Sequence, residues 1–199
     1  MSERTSGRLI AGTVGLALAL GGTAAAQQGS KGGLTFGASP EVTRGKYLVS
    51  TMGCNDCHTP WKMGPKGPEP DMALYLSGHP EKVKLPAPPA FDPKNPWAWH
   101  GSVTNTAFAG PWGVSYASNL TSDQSGIGSW TEENFVKAIK EGKHLGVGRP
   151  ILPPMPVPAY RNATDEDLKA MYAYLRTVPP VKNHAPEAQL APPPSMAKK

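Results

Sequence analysis

Cysteine is almost missing from this chain: its 199 residues contain two, Cys54 and Cys57, separated by two positions. No further thiol is left for a structural disulfide or for the four-ligand shell of a zinc site. No βαβ pattern surrounds the pair, so a thioredoxin-like redox disulfide lacks its setting. Runs of basic residues are also missing. The formal charge of +5 comes from scattered lysines and arginines, which argues against nucleic-acid binding and suits docking on an acidic protein or anionic lipid. Apolar residues make up a modest 39%. Glycine and proline, at 22 and 23 residues, fall just short of the roughly 25–30% that marks a disordered chain. A small core with long irregular connections is expected. Such a chain needs an additional apolar surface to fold around.

What is present centres on Cys54-Asn55-Asp56-Cys57-His58. In Cys-x-x-Cys-His, both thiols reach one porphyrin edge and add to its vinyl groups, and the histidine falls beneath the iron. The expected cofactor is one covalently bound haem c, held by Cys54, Cys57 and His58, since the motif occurs once.

The chain begins with Arg4 and Arg8, an apolar run from Leu9 to Leu20, and Ala24-Ala25-Ala26. This order reads as an export signal over 1–26, with an uncleaved membrane anchor as the alternative. Residues 27–38 read as a flexible linker. Ser39-Pro40-Glu41 opens a helix, with a cap, a first-turn proline and an acid at its positive end. Gly53 closes that helix directly before Cys54. The stretch from Thr59 to Gly128 is expected as mostly extended loop, with a short helix over Pro70–Leu76 and a brief hairpin over Trp97–Ala109. Its aromatics, Trp97, Trp99, Phe108, Trp112 and Tyr116, are expected to pack beneath the loop, some against porphyrin. Thr131 caps a helix that Gly142 stops, and Thr164 caps another with the stripe Leu168, Met171, Tyr172, Leu175. From Asn183 to Lys199 the Pro/Ala-rich sequence reads as a disordered tail. The haem-binding domain is placed at 39–182.

A haem iron bound by one histidine has a second axial position, open to a methionine, a histidine or neither. Met155, in Pro153-Pro154-Met155-Pro156, is the strongest choice: flanking prolines stiffen the backbone, and a methionine there has no helical core to fill. His144 is the best alternative. Arg149, Trp112, Tyr116 and Asn119 are candidate donors to the haem propionates.

The helix into Cys-x-x-Cys-His, the long loop, the methionine loop and the final helix together resemble class I c-type cytochromes. Gly45-Lys46-Tyr47-Leu48, Cys57-His58-Thr59-Pro60, Leu76-Ser77-Gly78-His79-Pro80, Ser118-Asn119-Leu120-Thr121, Gly126-Ile127-Gly128-Ser129-Trp130-Thr131 and the Met155 loop are similar to periplasmic cytochromes, including cytochrome subunits of bacterial membrane-bound alcohol and sugar-acid dehydrogenases. The resemblance covers roughly Ser39 to Val181. It implies an all-α class I cytochrome c fold of about four or five helices with Pro/Gly-rich loops wrapped around the haem. In it the first and last helices cross through Gly45 and Tyr174. It further implies a non-enzymatic electron carrier in the periplasm, exchanging electrons with a dehydrogenase, a quinol oxidoreductase or a terminal oxidase, either free or as a complex subunit. An enzyme or gas-binding protein with an open sixth position, and a docking subunit with an incidental haem, are the rival readings.

Overall fold

The computed structural model describes residues 37–89, 92, 94 and 99–191. The expected export segment, most of the linker, Trp97 and the end of the tail lie outside the described residues. Helix α1 spans Pro40–Thr51, and Ser39 caps it by accepting a hydrogen bond from the Val42 amide at 3.2 Å. Gly53 adopts a left-handed φ of 73°, a conformation that suits glycine, and turns the chain into the short helix α2, Cys54–His58. Helix α3, Glu132–Glu141, carries a reciprocal cap between Thr131 and Asn134 and ends at Gly142. The short α4 is Val157–Tyr160. The last helix, α5, is Asp165–Leu175, capped by Thr164.

The core forms where α1, α3 and α5 meet. Leu48 and Val49 of α1, Phe135 and Ile139 of α3, and Leu168, Met171 and Leu175 of α5 are buried together with Leu76 and Ile127 from the intervening loop. Crossing of α1 and α5 depends on Gly45: a Cβ there would lie 1.8 Å from the Ala170 carbonyl oxygen and 2.8 Å from the Tyr174 Cβ. Exposed ion pairs, Arg44–Asp167, Lys140–Asp165 and Lys169–Glu132, run between elements around this core. Pairs of this kind contribute little each, on the order of 0–1 kcal/mol, so helix packing dominates.

The expectation of an all-α fold is corrected by two antiparallel sheets. Strand β1, Trp61–Gly64, pairs with β2, Gly67–Pro70. In the second sheet β3, His100–Gly101, lies beside β4, Ala107–Gly110. Strand β4 pairs with β5, Gly113–Tyr116, and β5 with β6, Gln189–Leu190. The physical reason is in two tetrads of one form, Gly64-Pro65-Lys66-Gly67 and Gly110-Pro111-Trp112-Gly113. In each, proline presets the turn and the glycines form the closing pair. The strands are two to four residues long, too short for an alternating pattern to stand out. The expected helix over Pro70–Leu76 reduces to one 3₁₀ turn at Met72–Leu74. The hairpin expected over Trp97–Ala109 is represented by the β3–β4 pairing, but the sheet continues to Tyr116. Asn183 to Ala191, expected as disordered tail, returns across the domain and supplies β6.

Candidate haem site

Between the helices and the second sheet lies a cavity of about 1270 Å³, counting its open mouth. The cavity opens to solvent and its wall is mostly apolar, the lining expected of a site for a cofactor. Cys54, Cys57, His58 and Met155 all line it. Ile127, Phe135, Ile139 and Leu175 give it an apolar wall, and Phe108 and Tyr116 extend that wall from β4 and β5.

The first three residues are brought together by α2. Cys54 is buried and Cys57 half-buried. Burial pushes the Cys54 thiol up to about 12 and the Cys57 thiol in the same direction, with Asp56 adding to both. Both thiols therefore stay protonated at neutral pH. The His58 ring is fixed by its Nδ1–H, which donates to the Ser118 carbonyl at 2.7 Å. A carbonyl can only accept, so the proton sits on Nδ1 and Nε2 keeps its lone pair for a metal. Burial lowers the His58 pKa, partly opposed by the Ser118 bond, which keeps the imidazole neutral. A second segment, after the 3₁₀ turn, joins α2 to the Ser118 loop: the Gly78 amide donates to the His58 carbonyl at 2.8 Å and the His79 amide to the Ala117 carbonyl at 2.9 Å.

Met155 reaches the cavity from the loop between Arg149 and α4. Ser115 of β5 holds that loop: its hydroxyl donates to the Pro153 carbonyl at 2.6 Å, while Trp112 Nε1 donates to Ser115 Oγ at 3.2 Å. Sequence reading did not single out Ser115. The tetrad that announces its hairpin was the available signal. On the other side, the Tyr160 hydroxyl donates to the Met52 carbonyl, joining α4 to the end of α1.

The other candidate ligands differ in where they lie. Met63 and Met72 are exposed. Met171 lines the cavity but is buried in the α5 core. His79 is fully buried with both ring nitrogens engaged, by Thr106 Oγ1 at 2.9 Å and the Val83 carbonyl at 3.3 Å. His144 lines the cavity and packs edge-on to Trp130 with centroids 5.1 Å apart. Of the candidate propionate donors, Arg149, Tyr116 and Asn119 line the cavity. Arg149 pairs with Glu187 at 3.4 Å. The Asn119 amide already donates to Val181 and Asn183 carbonyls and to Ser125 Oγ. Trp112 is not on the cavity wall; its indole N–H is used on Ser115.

The chain matches the cytochrome c family over residues 42–179. It is 31% identical over 153 residues to the fructose dehydrogenase cytochrome subunit of Gluconobacter japonicus, covering 76% of this chain and 24% of that protein. It is 31% identical over 134 residues to the gluconate 2-dehydrogenase cytochrome c subunit of Pantoea cypripedii, covering 67% and 22%. With the cytochrome c subunit of the quinone-dependent alcohol dehydrogenase of Gluconobacter oxydans it shares 36% identity over 100 residues, covering 45% and 21%. The chain thus spans about a quarter or less of the length of these relatives. The site fits a covalently held haem: two adjacent protonated thiols, a neutral imidazole with Nε2 free, and an apolar wall share one cavity. This chain belongs to the cytochrome c family, and that membership implies a covalently bound haem c with its iron.

Proposed function

We propose that this chain is a one-electron carrier whose haem is attached through Cys54 and Cys57 and whose iron is held by His58 and Met155. A single observation carries this: residues from α2 and from a proline-braced loop far along the sequence meet on the wall of one apolar cavity. When bound, the haem supplies an iron that changes oxidation state by one electron. The residues around it keep the ligand set fixed. Ser118 sets the tautomer and angle of His58, and Ser115 anchors the Met155 loop through Pro153. The apolar wall limits water at the metal, and a thioether ligand favours the reduced state, raising the potential. With His58 and Met155 both holding the iron, no position would be left for a substrate, and the chain would act as a carrier.

The domain that does this takes in 39–182 and the segment that follows to Ala191, which supplies β6; an export signal over 1–26 and a linker over 27–38 precede it. Export fits a haem attached outside the cytoplasm and a carrier on the periplasmic side. No helix of the described residues is long and apolar enough to cross a membrane. The names of the relatives support a dehydrogenase of sugars, sugar acids or alcohols as a redox partner; a quinol oxidoreductase or a terminal oxidase is the other partner of this reading. Stopped-flow mixing of the oxidised holoprotein with such a dehydrogenase and its substrate should show haem reduction. Absence of electron exchange with each of these enzymes would contradict the assignment.

A further inference from the structure

The family match ends at residue 179, yet the chain beyond it stays on the domain. Asn183 is 7% exposed and fully engaged. Its amide donates to the Ser77 carbonyl at 2.7 Å and the His79 carbonyl at 2.9 Å, and its Oδ1 accepts from the Glu81 amide at 2.9 Å. Its backbone N–H donates to Ser125 Oγ at 2.9 Å, and its carbonyl accepts from Asn119 Nδ2 at 3.3 Å. Asn119 also donates to the Val181 carbonyl at 2.7 Å. Asn119 follows Ser118, whose carbonyl orients His58. The segment therefore grips the loop that sets one proposed ligand.

Further along, Ala188 forms part of the cavity wall. Gln189 and Leu190 pair with Val114 and Gly113, and the Ala191 amide donates to the Trp112 carbonyl at 2.9 Å. This covers the edge of β5, the strand whose Ser115 holds the loop of the other proposed ligand. The approach is close: a Cβ on Gly113, at a φ of +105°, would lie 2.0 Å from the Gln189 carbonyl oxygen and 2.5 Å from the Ala191 nitrogen. Ordering a chain costs backbone entropy at every residue fixed. Here hydrogen bonds to two ligand-bearing parts of the domain offset that cost.

We infer that residues 181–191 form a positioning strap for the haem site, Asn183 fixing the loop that orients His58 and β6 fixing the strand that holds the Met155 loop. This rests on the His58–Met155 ligation proposed above. Loosening the strap would free the Met155 loop and withdraw that side chain from the iron it would hold.

The test uses holoprotein and carbon monoxide. Ferrous native protein, Asn183→Ala, Ala191→Pro and, as the open-site reference, Met155→Ala are mixed with the gas, and the ferric forms are scanned for the far-red methionine-to-iron band. Native protein is expected to bind slowly. Both strap variants are expected to bind about tenfold faster or more, the scale at which supporting contacts tune a metal site, with a weaker far-red band and unchanged covalent haem content. Ala191→Pro removes the amide that donates to the Trp112 carbonyl and leaves the β4–β5 turn residues unchanged, so the test does not depend on Asn183→Ala accumulating as folded protein. Slow binding and an intact band in native and strap variants alike would overturn the strap inference and leave the ligation standing. Fast binding and no band in native protein would overturn the ligation, and the strap inference with it.

Discussion

Gly45 and Ala170 are in backbone contact across the α1–α5 crossing, so closely that a Cβ at position 45 would sit 1.8 Å from the Ala170 carbonyl oxygen. That contact sets how near the two helices come, and so the shape of the core from which the cavity opens. Substituting Gly45→Ala gains up to about 1 kcal/mol of helix propensity. Forcing the helices apart costs typically about 1–3 kcal/mol, and the obstructing atom is backbone, which cannot rotate away. Net destabilisation is expected, measured as a lower denaturation midpoint of the holoprotein. Unchanged or raised stability would contradict this account of the crossing.

Ser115→Ala removes the hydroxyl that joins β5 to Pro153. Loss of one such bond costs about 1 kcal/mol, a small change in global stability. The larger effect is expected at Met155, as a weakened or temperature-sensitive far-red band. A variant with the native band at all temperatures would show that the loop is held by other contacts.

His79 gives a pH dependence with a definite sign. The Val83 carbonyl can only accept, so Nε2 carries the proton and Nδ1 accepts from the Thr106 hydroxyl. Burial lowers the folded-state pKa, opposed in part by the Val83 bond. The unfolded chain takes up a proton near the ordinary imidazole value of 6.5, and the folded one does so only at lower pH. Stability from this group is therefore complete above that value and is lost as pH falls through the folded pKa. Unfolding curves of native protein and His79→Gln between neutral and mildly acidic pH check this: the variant should show the shallower decline. Superimposable slopes would contradict it.

The three long helices, α1, α3 and α5, were legible because their ends are written locally. Ser39, Thr131 and Thr164 are caps, and Gly53 and Gly142 are stops, each acting within a few residues of itself. The sheets were not, because strands this short carry no period. Their signal sits in the turns, where Gly64-Pro65-Lys66-Gly67 and Gly110-Pro111-Trp112-Gly113 repeat one form. Cys54, Cys57 and His58 were legible as a compact motif. Ser118 was not, because it acts on His58 through a carbonyl that every residue has. The role of Asn183 was hidden for a different reason: its partners Ser77, His79 and Glu81 are about a hundred positions away, and its Pro/Ala-rich surroundings suggest disorder.

The proposed ligation by Met155 can be read directly from the far-red methionine-to-iron band of the ferric holoprotein. The band is expected in native protein and should vanish in Met155→Ala while the covalently attached haem is retained. Its absence from native protein, or its survival in Met155→Ala, would contradict the assignment of Met155 and with it the six-coordinate electron carrier.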